Sequence, residues 1–391
     1  MTSNSLARYL FTTHDQYRLH HLTPWNCKHD QILHDLIDMA MQSNKLLAVE
    51  EIGSSIEERS IHLITIGTGQ KKVLLWSQMH GDESTATLAL MDMMNFLIRR
   101  APEEKWLREL LGNVTVYLIP MLNPDGAERI DRRTAVGIDM NRDALELTTP
   151  EARVLRDVQR RLKPQFGFNL HDQELSSVGT TTEVTAIALL APALDEKKSR
   201  SPVRVRAMRV AALIARALEQ FANGHLATYD DTFEPRAFGD NMQRWGTSTV
   251  LIESGQWPDD REKRFIRKLN FVGILTALQG ISTGSFQDVD LDYYTHLPQN
   301  AKRIYDIIIK NVKLRHASGW SHTADLGILI DPLLNRNADG TVVTIKDLGD
   351  LSTFGALKTI DGSARAVDAG VFSPNQSMPL PELLDILQLP R

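Results

Sequence analysis

Cysteine is nearly absent: Cys27 is the only one in 391 residues, so no disulfide can close within the chain. A lone thiol without a partner reads as a small buried residue, not as a nucleophile. No run of residues is long and apolar enough to span a bilayer. The opening segment, MTSNSLARYLFTTHDQYRLHH, breaks into polar residues and histidines where a signal peptide would carry its apolar core. Strong charge of either sign is missing too. The formal net charge is −5 and the pI about 6.2, which argues against nucleic acid or an anionic membrane as the main partner. Repeats and low-complexity tracts are also lacking. These absences point to a soluble, cytoplasmic protein.

What is present is ordinary globular material, 42% hydrophobic and 24% charged. The length exceeds what one core usually organises, so two domains are expected, 1–284 and 285–391. Residues 31–47 carry apolar positions at helical spacing. Ile61–Ile66 and Val73–Ser77 read as strands joined by a turn holding Gly67 and Gly69. That GxG sits between strands and opens no helix, so a dinucleotide fingerprint is disfavoured. Leu88, Met91, Met94 and Leu97 mark a helix ending near Arg100. VTVYLIP is a buried strand running into a Pro-Asp-Gly turn, and residues 150–162 are helical. FGFNLHD and STVLIES are short strands ending at polar residues. Between them, 201–221 form a long helix whose Arg204, Arg206 and Arg209 read as a solvated face. Strands alternating with helices predict an α/β fold, a mixed and mainly parallel sheet flanked by helices. Beyond residue 284, IYDIIIKNVKL, ADLGILI and GTVVTIKDLG alternate and carry Asp-Gly turns, as in a small β-rich C-terminal domain of unknown role.

The polar chemistry collects at strand ends, where open α/β sheets place their sites. His80 and Glu83 stand three apart in H-G-D-E, where a strand gives way to a helix, and Gly81 permits the sharp turn. Alone, such a pair is better read as a capping carboxylate beside an exposed histidine. His171 ends the apolar strand FGFNL, and by itself would fit a hydrogen-bonded core histidine. Taken together, the three make a His₂Glu set, which suits a zinc site that leaves one position open.

Five segments then occur in a recognisable order: H-G-D-E at 80–83, N-P-D-G at 123–126, G-I-D-M-N-R at 137–142, L-H-D at 170–172 and I-E-S-G at 252–255. In this order and over residues 45–280 the chain resembles the M14 zinc carboxypeptidases. The resemblance implies one Zn²⁺ per chain on His80, Glu83 and His171, and a general base at Glu253. It implies that Arg132 stabilises the oxyanion, with the adjacent Arg133 as the alternative. Asn141 and Arg142 would grip the substrate's terminal carboxylate, and Asp139 would orient His80. Tyr229 is the candidate for the family's mobile tyrosine. Asp82 departs from pancreatic-type members, which have arginine between the ligands. The other histidines, among them His14, His20, His21, His29 and His34, read as surface or cap residues.

The expected activity is a metallocarboxypeptidase that removes C-terminal residues from peptides. The expected partner is a peptide or N-acyl amino acid with a free carboxylate, and neither nucleic acid nor membrane. The related succinylglutamate desuccinylase–aspartoacylase type of N-acyl amino acid deacylase is the alternative, and the N-P-D-G and G-I-D-M-N-R segments favour the peptidase. A non-catalytic peptide binder is disfavoured, because no ligand and no base is missing. Specificity is expected to lie in 233–245, where either Arg236 or Asp240 could point inward.

Overall fold

The computed structural model describes residues 2–330, 341–363 and 366–389. They form two compact units, one of Met1–Glu174 with Ala186–Gln299, the other of Leu175–Thr185 with Asn300–Arg391. The division expected after residue 284 therefore falls inside the first unit. Phe286 packs edge-on against Phe166 there, and the Tyr294 hydroxyl accepts from the Ala191 amide at 2.9 Å.

The strands are β1 (Leu47–Ser54), β2 (Ser60–Ile66), β3 (Lys71–Ser77), β4 (Val114–Ile119), β5 (Phe166–Asp172), β6 (Ser177–Val178), β7 (Ile187–Leu190), β8 (Leu226–Thr228) and β9 (Ser248–Ser254). All but β6 make one eight-stranded sheet in the order β1-β2-β4-β3-β5-β9-β7-β8. The centre, β4-β3-β5-β9, is parallel, while β1 and β2 add antiparallel to one side and β7 to the other. Both faces are covered, as parallel strands require. Along β3, Val73 and Leu75 join a core with the helix Thr85–Arg100, and Leu74 and Trp76 join another with the helices Pro150–Leu162 and Phe238–Arg244. Period-two alternation with both faces buried explains why this strand reads as a continuous apolar run.

The expected helix over 31–47 is shorter, His29–Gln42, and Leu47 opens β1. N-P-D-G is not a bare turn: Asn123 caps the six-residue helix Pro124–Arg129 by accepting from the Gly126 amide at 2.9 Å. His14 is fully buried, not at the surface. Its Nε2 meets Asp92 at 2.9 Å, and Asp92 also takes Arg267 Nε at 2.6 Å and the Leu19 amide at 2.8 Å, so a buried charge is fully partnered. Arg204 is likewise buried, donating to the carbonyls of Ala191 and Lys198 and to Asp231. Among the described residues no helix is long and apolar enough to cross a membrane.

The second unit continues with β10 (Asn300–Ala301), β11 (Ile304–Arg315), β12 (Ser321–Ile330), β13 (Val342–Gly349), β14 (Gly355–Asp361), β15 (Ala366–Asp368) and β16 (Gln376–Pro379). Its sheet runs β14-β11-β12-β13-β16, with β15 also on β11, and β6 pairs antiparallel with β10. Ile309, Leu326, Ile328 and Ile345 face the helix Leu380–Leu387 in its core. The Asp339-Gly340 turn lies outside the described residues.

Strand order reverses between β3 and β5: β4 lies to one side of β3 and β5 to the other, so the crevice at their carboxyl ends is a topological switch point. The loop leaving β3 is pressed onto the N-P-D-G helix. Gly81 donates its amide to the Asp131 carbonyl at 2.9 Å, and a Cβ on Gly81 would lie 1.9 Å from the Gly126 carbonyl carbon. Because both partners in that clash are backbone, Gly81→Ala should destabilise the fold by about 3 kcal/mol or more. Gly112→Ala, in a helix with nothing near its added methyl, should be neutral or slightly stabilising. Equilibrium unfolding in urea compares the two, and a Gly81→Ala protein as stable as the parent would refute the close approach.

Candidate metal centre and substrate site

His80 leaves the end of β3 and Glu83 precedes the helix Thr85–Arg100, with the turn between them held by Gln78. Gln78 adopts a left-handed conformation, φ 51°, rare for a side chain of its size. Its amide donates to the Gly81 carbonyl at 3.0 Å, and its carbonyl oxygen accepts from Thr87 at 3.0 Å. The buried Cys27 thiol also points at that oxygen, 3.6 Å away, and burial pushes the thiol up to about 12, which leaves it unreactive.

His171 comes from the end of β5 and Glu253 from the end of β9. They are direct register partners across the parallel pair. Nitrogen and oxygen atoms of His80, Glu83 and His171 all lie within 4.8 Å of one another, and all three side chains are buried. Glu83 bridges the two imidazoles: Oε1 is 2.7 Å from His80 Nδ1 and Oε2 is 2.7 Å from His171 Nδ1. On its far side, His80 Nε2 is 3.0 Å from Asp139 Oδ1, the acceptor that fixes an Nε2–H tautomer and leaves the Nδ1 lone pair pointing at Glu83. A lone pair and a carboxylate oxygen at that separation need a proton or a cation between them. Burial pulls the His80 imidazole down, yet the Glu83 charge and the bonds to Asp139 and Glu83 lift it to about 9. Against the cost of burial, His80 and His171 hold the Glu83 carboxyl well below the usual range. Two nitrogens and a carboxylate, buried and convergent with one orienting acceptor behind, fit zinc.

The other expected residues fall around this cluster. Arg132 reaches it, with NH1 3.1 Å from Glu83 and 3.1 Å from His80 Nδ1, and Nε 3.2 Å from Asp139. Arg133 turns away and donates to the Gly137 carbonyl at 3.0 Å. Despite burial, the bond to His80 together with the His80, Arg132 and Arg142 charges holds Asp139 well below the carboxylate range. Burial, then the Glu83 charge, pushes the Glu253 carboxyl well above it. Tyr229 lies close enough to Glu253 and Glu83 that their charges add to burial and push its phenol up to about 12. Asn141 uses its carbonyl oxygen to accept from the Phe238 amide at 2.9 Å, which fixes the amide plane.

Three features escaped the sequence reading. Arg142 is not free: its Nε pairs with Glu234 at 3.3 Å, and the same carboxylate is forked by Arg236 at 2.9 and 2.8 Å. A side-chain carboxylate thus sits at the arginine expected to bind a substrate carboxylate. Asp172, beside His171, accepts from Thr85 at 2.5 Å and from Lys263 at 3.0 Å, tying the end of β5 to two helices. Asp240 is buried and accepts from the Glu234 amide at 3.2 Å, whereas Arg236 is exposed. Burial pushes the Asp240 carboxyl up to about 7. The cluster of charged residues in 229–240 signalled the contacts of Glu234 and Asp240 only, and nothing local signalled those of Asp172, since a local pattern does not say which pairs form.

A family model for zinc carboxypeptidases, peptidase family M14, matches residues 32–245, more than half of the chain. The match ends before Glu253. Carboxypeptidase 2 of Trichophyton tonsurans is 28% identical over 121 residues, 30% of this chain and 20% of that protein. The chain thus spans about a fifth of the length of that relative. Among solved structures, bovine thrombin-activatable fibrinolysis inhibitor is similar with a TM-score of 0.55 at 16% identity, covering 70% of this chain and 100% of that one. A metallo-carboxypeptidase from Burkholderia cenocepacia gives 0.53 at 18% identity, over 66% and 69%. These two likenesses concern the fold.

Removal of Asp139 should loosen the centre without abolishing it. Asp139→Asn is expected to weaken zinc affinity by about 10–100-fold, while His171→Ala removes saturable binding. Chelator competition measures both. Equal affinity in Asp139→Asn and parent would show that the His80 contact has no orienting role.

Proposed function

The chain belongs to the M14 zinc carboxypeptidase family, and from that premise we propose that it removes C-terminal residues from peptides, with Glu253 as the proton carrier. His80, Glu83 and His171 would hold the zinc, which when bound would supply Lewis acidity and bring the pKa of water to about 7. The observation that carries the reading is the register pairing of His171 with Glu253, which sets a buried proton acceptor beside the His–Glu–His cluster. A carboxylate beside the metal and shielded from water could take a proton from water and pass it to the leaving amine.

Arg132 supports the same reading. Its guanidinium is fixed by Asp139 and Glu83 and remains 43% exposed, so it is open to an incoming ligand. A fixed cation there favours negative charge growing on the carbonyl oxygen and needs no reorganisation during the step. Asn141 and Arg142 provide donors for a terminal carboxylate, and a fork at a set distance from the base selects a chain end over an internal bond. A substrate carboxylate would compete with Glu234 for Arg142, so Glu234 lowers apparent affinity for free-acid substrates. Tyr229, which feels the charges of Glu253 and Glu83, is the candidate for a phenol that closes over the bound chain end.

Glu253→Gln keeps the shape of the side chain but cannot accept a proton. It should retain zinc and lose at least about a hundredfold in kcat with little change in KM. Turnover near the parental rate would place the base elsewhere.

A free-acid peptide should be trimmed about a hundredfold faster than its C-terminal amide, as expected when an amide leaves a desolvated arginine unpaired. Arg142→Met should erase most of that preference, and Glu234→Gln should lower KM for the acid alone. Equal rates on acid and amide in the parent would contradict the exopeptidase reading. Faster turnover of N-acyl amino acids than of peptides would indicate a deacylase.

A further inference from the structure

The site uses one end of the parallel strands, and the opposite end carries a second feature of different chemistry. An open groove of about 650 Å³ lies where Gln165 enters β5 and Gly246 precedes β9. Arg156, Arg160, Lys163 and Arg206 line it together with Trp245, and none of its lining residues is Asp or Glu. In a chain whose formal charge is −5, a lining with four cations and no acid is not what chance distribution gives. Nor are the cations neutralised: among the described residues no carboxylate lies within ion-pair distance of any of the four, whereas Arg59, Arg100, Arg161, Arg204 and Arg267 of the same unit are each paired.

Two of the four are held in place. The Arg156 guanidinium stacks over the Trp245 ring, 3.7 Å from its centroid, with NH1 donating to the Gln159 side-chain Oε1 at 2.5 Å. Arg206 is anchored by Nε to the Ser248 hydroxyl at 3.0 Å, at the first residue of β9. Partial burial, then the like charge of Arg160, pulls the Arg156 guanidinium down, and Asp157 offsets this only in part. A stacked arginine beside a second arginine is the arrangement that an incoming anion relieves. Planar guanidinium groups with spare donors fork onto phosphate oxygens, and convergent cations suit several charges on one small ligand.

We propose that this groove is a binding site for a compact polyanion of the di- or triphosphate class, separate from the peptidase site. Seven-residue strands β5 and β9 set the two apart by roughly 20 Å, so the anion is not the chain end being cleaved. A volume of about 650 Å³ is that of a small-molecule site.

Calorimetric titration of the zinc-loaded full-length protein at low ionic strength tests the assignment, using inorganic triphosphate, ATP and hexaglutamate as probes. Triphosphate should bind saturably with one site per chain, and the affinity should fall steeply with added salt. ATP binding as tightly as triphosphate assigns recognition to the phosphate chain, and tighter ATP binding adds its nucleoside; both support the proposal. The variant Arg160→Gln/Lys163→Gln changes two exposed residues and should keep the parental melting temperature and peptidase activity while losing at least tenfold in triphosphate affinity. Trp245→Phe should abolish any triphosphate-induced change in tryptophan fluorescence. Absence of saturable binding by both phosphates, hexaglutamate binding as tightly as triphosphate, or unchanged affinity in Arg160→Gln/Lys163→Gln would each overturn the proposal.

Discussion

The Glu83 carboxylate lies out of water, where an ionised group costs several kcal/mol unless its oxygens are met by donors or a cation. Every oxygen is met. One faces His80 and Arg132, the other His171 and the Asp172 amide. Those partners come from the ends of β3 and β5 and from the segment before Asp139, so the geometry of one carboxylate depends on three stretches of chain arriving together. The close approach of Gly81 to Gly126 brings the first and third of these into contact. The switch point between β3 and β5 opens the crevice in which the second can join them.

Around that centre the charges alternate in depth. The buried layer holds Glu83, His80, His171 and Glu253, and the half-exposed layer holds Arg132 and Arg142. In the proposed reaction the cations at the mouth would attract a carboxylate-bearing substrate, with Glu253 shielded from water behind them. Glu234 occupies part of this mouth, paired with two arginines, one of them Arg142. Its hold must be weaker than that of the incoming chain end for the proposed reaction to run.

Much of this could be read from local pattern. His80, His171 and Glu253 each stand at the end of an apolar run, and strand ends are visible without knowing what packs against them. The spacing of three between His80 and Glu83 and the glycine between them were likewise local. What was hidden is long-range. His14 is buried because Asp92 and Arg267, far away in sequence, need a third partner, and nothing near His14 announces it. The strand β1 carries Glu50 and Glu51 and has a mainly half-exposed pattern, so its apolar signal is weak, and β8 has only three residues. The left-handed Gln78 and the Arg142–Glu234 pair depend on which side chains meet in space. Local propensity does not encode that.

The central physical claim is that the gap between the two imidazoles and Glu83 is a zinc site. Anomalous diffraction at the zinc edge from crystals of the zinc-loaded protein tests it most directly. The account predicts one strong peak per chain, about 2.0–2.1 Å from Nδ1 of His80 and of His171 and bound by Glu83, with Glu253 close by but not ligating. A peak at other residues, or none while Glu83 keeps both its hydrogen bonds to the histidines, would contradict it.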